Sequence, residues 1–121
     1  MALSNAGLGA IVTVAASTSA NIVGTIVASN KQKYIRGLLI HNTSTSNTQV
    51  CEIHIVPNNG SGGTGTAAAA NKIGRLTLTA ADTAFFEFPY PLTLTSTGDC
   101  IQVVNASGST VNVLPVGDVE A

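Results

Sequence analysis

Residues 33 to 57, KYIRGLLIHNTSTSNTQVCEIHIVP, decide the fold class. Two runs rich in Ile, Leu and Val flank an Asn/Ser/Thr turn, and neither keeps a helical period. In the second run Cys51, Ile53 and Ile55 fall on one face of an extended chain, while Glu52 and His54 fall on the other. In the first run Arg36 to Ile40 is apolar on both faces, which predicts a central strand covered twice. Working outward, similar short runs recur roughly every ten to fifteen residues, separated by Asn, Ser, Gly and Thr. Strands are expected near Gly9 to Ala15, Asn21 to Ala28, Lys33 to His41, Thr48 to Val56, Ile73 to Thr79, Ala84 to Phe88, Cys100 to Val104 and Thr110 to Val116, with a short further one at Leu92 to Thr95. About eight antiparallel strands in one small domain imply an all-β, jelly-roll-like β-sandwich. Turns are expected at Asn42 to Asn47, Thr79 to Asp82, Ser96 to Asp99 and the Asn105-Ala106-Ser107-Gly108-Ser109 segment.

The chain has 121 residues, enough for one domain and its core. Only 9% of residues are charged, against a typical ~25%. Hydroxyls, amides and glycine stand where solvent-facing charge is usual, so much of the surface is expected to be covered by other subunits. A Thr-rich extracellular β domain is the plainer alternative. The net charge of -1 and the lack of a basic cluster argue against a nucleic-acid partner. The N-terminal apolar run lacks a basic leader and is too short to cross a bilayer, so no membrane partner is expected and the product is read as made in a cytoplasm. Residues 1–8 form an uncharged arm that would fray on an isolated subunit and is expected to lie on a neighbour, leaving 9–121 as the sandwich. Cys51 and Cys100 are read as buried free thiols, with one bridge between them left open.

Chemistry-bearing motifs fail their context tests. Gly60, Gly62 and Gly65 spell G-x-G-x-x-G, yet no βαβ unit surrounds them and any following helix is about one turn long, so residues 57–72 read as a flexible Gly/Ala-rich loop. Glu52 and His54 could begin a metal site resembling a fragment of the cupin motif. The further histidines and glutamate are missing, and an exposed polar strand face is the expectation. Cys51 points away from His54, no G-x-S-x-G elbow exists, and Asp82, Glu87, Asp99 and Asp118 are dispersed. No catalytic residue, metal or cofactor is assigned.

The aromatic segment FFEFPYPL, Phe85 to Leu92, contains every Phe of the chain and one of its two Tyr. Phe86 and Phe88 are expected in the core, while Pro89 and Pro91 mark an edge. Phe85 and Tyr90 are left for a subunit contact or, in an alternative reading, for stacking on a sugar.

The order of these segments resembles small all-β virion proteins of tailed bacteriophages. It is carried by His41-Asn42 before a Ser/Thr turn, Val56-Pro57 closing a strand, Gly98-Asp99 opening a late strand and Gly117-Asp118 near the end. The resemblance implies a non-enzymatic protein of the virion, assembled in the host cytoplasm. In its leading form it is a capsid decoration, or cement, protein that binds the major capsid protein and copies of itself, often as a trimer. A tail, fibre or adaptor component and a virion carbohydrate-binding module are the alternatives. Leu3, Leu8, Tyr34, Arg36, Phe85 and Tyr90 are the residues expected at subunit or capsid contacts.

Overall fold

Branched and aromatic residues at alternating positions build the strands, and the computed structural model describes residues 3–4, 11–23, 32–61, 63–94, 98–106 and 108–120. Among the described residues nine strands follow in chain order: β1 (Leu3–Ser4), β2 (Val12–Val14), β3 (Ser19–Val23), β4 (Lys33–Asn42), β5 (Gln49–Val56), β6 (Lys72–Leu78), β7 (Thr83–Leu94), β8 (Cys100–Asn105) and β9 (Val111–Glu120). The front sheet has the order β1-β9-β4-β7, with β2 also pairing β9, and the back sheet has the order β3-β8-β5-β6. Every pairing is antiparallel.

The pairings β5·β6, β4·β7, β3·β8 and β2·β9 nest one inside another. The chain is therefore one long folded hairpin wrapped into two sheets, which is the jelly-roll solution. The sandwich and its approximate strand number follow the sequence pattern. The segments expected at Gly9 to Ala15 and Asn21 to Ala28 are strands over Val12–Val14 and Ser19–Val23, and residues 5–10 and 24–31 lie outside the described residues. Of the expected arm, Leu3 and Ser4 pair with Glu120 and Val119 of the same chain, which supplies backbone partners without a neighbour. Leu8 lies outside the described residues.

The core lies between the sheets. Ile35, Leu38 and Ile40 of β4 and Val111 and Val113 of β9 meet Cys51 and Ile53 of β5 and Ile101 and Val103 of β8, all fully buried. Phe86 and Phe88 pack against this cluster, with ring centroids 5.6 Å apart at 81°, an edge-to-face arrangement. Both cysteines are free and buried. Burial pushes the Cys51 thiol up to about 11 and raises that of Cys100 as well.

Buried Asn42 fastens one end of the sandwich. Its amide donates to the carbonyls of Asn47, Leu78 and Thr79 at 2.8, 3.1 and 2.9 Å, and its Oδ1 accepts from Ser44 N at 2.9 Å. Ser44 Oγ in turn accepts from Ser46 N and Asn47 N. The Ser/Thr turn thus satisfies its backbone with side chains, as its composition predicts.

Two register breaks shape the front sheet, both between Ile35 and Gly37 of β4: against β9 the partners step only from Gly117 to Val116, so Arg36 is the extra residue of a bulge. Along β4 the partners step from Ile35 to Gly37 while those on β7 step from Leu92 to Glu87. Residues 88–91, Phe-Pro-Tyr-Pro, therefore bulge from the edge strand where two prolines have no N–H to give. The break separates the halves of β7 at the place where the sequence suggested two strands.

Candidate interaction surface

Cross-strand register assembles the most conspicuous surface feature. On the outer side of the front sheet, Leu39 of β4 stands opposite Phe85 of β7 on one flank and Leu114 of β9 on the other. The β2–β9 register places Ile11, immediately before β2, beside Leu114, and Ile11, Leu39, His41, Asn112 and Leu114 line one open concavity of about 230 Å3. An apolar row, Ile11–Leu114–Leu39–Phe85, thus crosses four strands. Ile11 is 62% exposed, Leu39 39% and Phe85 46%.

The row has a rigid bed. Phe85 lies over Gly37, where an added methyl group would come within 2.8 Å of Phe85 Cζ and would also strike the Phe86 carbonyl. The ring thereby covers a strand backbone that lacks a side chain, and Gly37 is required by that approach. Beside it, Arg36, Phe85, Glu87, Phe88, Pro89 and Val116 line a second open concavity of about 410 Å3. Along the neighbouring row His41 Nδ1 lies 2.8 Å from Thr83 Oγ1, and Thr13 Oγ1 donates to Asn112 Oδ1 at 2.8 Å. Polar side chains there are tied to one another across strands.

Of the residues expected at contacts, Arg36 and Phe85 are brought together in one concavity. Tyr90 stands apart at the tip of the proline bulge, 83% exposed. Tyr34 is half-buried, and its hydroxyl donates to Gln32 Oε1 at 2.9 Å. Leu3 lies on the short strand β1 beside β9. Sequence reasoning missed Ile11, Leu39 and Leu114. The missed signal was parity, since Leu39 alternates with core residues Leu38 and Ile40 and so cannot share their face. The expectation that Arg36 to Ile40 is covered on both faces is corrected: β4 is central within its sheet, but Arg36 and Leu39 face outward and are exposed.

The Glu52–His54 expectation is also corrected. Glu52 is half-buried and pairs with Lys72 Nζ at 2.7 Å, which holds its carboxyl below the usual range. His54 is buried, only 3% exposed, because residues around Ala68 and Asn71 fold over it. Its Nδ1 lies 3.1 Å from Ala68 O and 2.8 Å from Asn71 Oδ1. The same segment is fastened by Gln102 Nε2 donating to Gly65 O and by Asn58 N donating to Asp99 Oδ1. A segment read as a flexible loop therefore has specific anchors on the back sheet, which its Gly/Ala composition concealed. Its helical part is a single 3-10 turn at Ala69–Asn71, too short for the phosphate-binding helix that the glycine motif would need.

Among the described residues, no group of three His, Cys, Asp or Glu side chains could hold a metal ion, and no helix is long and apolar enough to cross a membrane. No protein-family model matches the sequence, and no curated protein matches it.

Proposed function

We propose that this chain is a non-enzymatic virion structural protein, a capsid decoration protein that binds the outer surface of a bacteriophage head as a homo-oligomer, with a trimer the expected form. The observation that carries the reading is the apolar row Ile11–Leu114–Leu39–Phe85, open across the outer face of the front sheet in a chain with only 9% charged residues. A contiguous apolar strip rimmed by polar groups is a surface suited to another protein. The Arg36–Glu87 concavity adjoins the row at Phe85, and exposed Tyr90 lies nearby in sequence on the bulge of β7; they supply the charged and aromatic anchors that interfaces favour.

Such a protein works by burying surface across capsomer junctions. At ~25 cal/mol per Å2, a few hundred Å2 of apolar area per subunit is worth several kcal/mol before association costs. Oligomer avidity then multiplies weak contacts. The test mixes purified protein with undecorated heads and measures occupancy and the temperature at which heads open. Saturable binding that raises this temperature supports the proposal. Association with tails in place of heads would transfer the role to a tail component, and binding to neither would end it.

A further inference from the structure

The back sheet carries a feature that the proposed interface does not use. His54 Nδ1 faces two acceptors, since Ala68 O is a carbonyl and Asn71 Oδ1 already accepts from Ala68 N at 2.9 Å while Asn71 Nδ2 donates to Thr66 O at 3.0 Å. The Asn71 amide orientation is thus fixed by its other bonds, and Nδ1 must carry the proton. The opposite nitrogen, Nε2, is buried and has no hydrogen-bond partner among the described residues. The site fits a neutral imidazole with its proton on Nδ1. A second proton, on Nε2, would place a buried positive charge where nothing accepts its N–H.

We propose that residues 63–72 form an acid-sensitive cover over the back sheet, latched by neutral His54 and released when that imidazole is protonated. The cover lies tightly on its bed. A methyl group on Gly65 would meet the Pro57 carbonyl and approach Val56 Cγ1 to 3.0 Å, and Gln102 Nε2 holds Gly65 O at 3.2 Å. Beneath it sit Val56, Gln102 and Cys100, whose Sγ lies 3.6 Å from Gln102 Nε2.

Among the charged and titratable neighbours, Glu52 is within Coulombic reach of His54 but is shared with cations of the adjacent strand. Glu52, on the same strand, is engaged by Lys72 at 2.7 Å. Lys72 is itself the register partner of His54 on β6, and Arg75 on that strand adds further positive charge. On the β8 side, Asp99 Oδ1 accepts from Asn58 N and Nδ2 at 2.9 and 3.3 Å, and Cys100 is a buried thiol whose titration is raised by burial. Release to water is the route by which a protonated His54 regains hydration.

The inference is independent of the capsid reading and can be tested on the free protein. If only the open form accepts the second proton, the open population rises on the order of tenfold as the pH falls from about 7.5 to about 5. Amide hydrogen exchange, corrected for intrinsic rates, is expected to show that loss of protection over residues 63–72 while β4 and β9 amides keep theirs. His54→Asn, which retains a donor near the Nδ1 position and cannot ionise, should remove the pH dependence, and His41→Gln should leave it intact. In the unmodified chain, the His54 side-chain nitrogen resonances and the 63–72 amides should titrate with one midpoint. Equal protection at both pH values, uniform loss across all strands, dependence surviving in His54→Asn, or separate midpoints would each overturn the proposal.

Discussion

Phe85→Ala separates what the row does for the fold from what it does for assembly. The ring is 46% exposed, so about half of its surface already serves the folded chain by covering Gly37 and touching the outer face of β4. Of the ~200 Å2 that a phenylalanine can bury, roughly 90 Å2 remains free for a partner. At ~25 cal/mol per Å2 that free portion is worth about 2 kcal/mol on full burial, close to thirtyfold in a dissociation constant. The half already buried is of similar size, so unfolding of the isolated subunit should also lose about 2 kcal/mol. The two losses are read in different assays, chemical denaturation at low protein concentration for the fold and sedimentation equilibrium with head-binding titration for assembly. To keep them apart, assembly is measured under conditions where the variant is fully folded. A variant that loses stability while its self-association and head affinity stay within twofold would refute the placement of the row in an interface.

Tyr90→Ala removes a side chain 83% exposed at the tip of the bulge, so subunit stability should stay within about 0.5 kcal/mol while assembly or head binding weakens; loss of glycan binding with unchanged oligomer mass would instead favour sugar recognition. Asn42→Ala removes a buried amide that serves the Asn47, Leu78 and Thr79 carbonyls, and should cost about 2 kcal/mol and lower Tm by about 10 °C in a thermal scan. Cys51 is protonated in the fold up to about 11 against an ordinary 9.0, so the unfolded chain binds fewer protons above that lower value. Stability should therefore hold below it and decline as pH rises between the two, by about 2 kcal/mol or somewhat more over the interval, and Cys51→Ala should flatten that slope in denaturation curves.

Alternation and punctuation made the strands legible, because side-chain period is a local property. Seven of the expected segments overlap strands one for one, and Ala84 to Phe88 and Leu92 to Thr95 became the two halves of β7. Sheet order was not legible, since it depends on pairings such as Val12 with Val113 that no local window contains. The exposed apolar side chains were half legible. Phe85 and Tyr90 stood out as aromatics beyond those the core could use, but Leu39 was hidden within an apolar run whose parity is broken by the bulge at Arg36. His54 was misplaced for a related reason. Strand alternation put it correctly on the outer face of β5, but the small residues that cover that face gave no hydrophobic signal of doing so.

The nested pairing also governs the order in which the sandwich can close. Glu52 and Lys72, facing each other across the innermost hairpin, are 20 residues apart, whereas Thr13 and Asn112 at the outermost pair are separated by 99. Closing a longer loop costs more chain entropy, and a topology dominated by distant contacts folds on the millisecond-to-second scale. Among the four nested pairs the inner hairpin is thus favoured to zip first and β2–β9 to close last, with the two-residue β1–β9 pair spanning a still longer loop. Until that last closure, Ile11 has not reached Leu114, and the apolar row is incomplete. If the row is the assembly surface proposed above, a subunit released early from its own folding would present only part of it, and assembly would wait until the chain is finished.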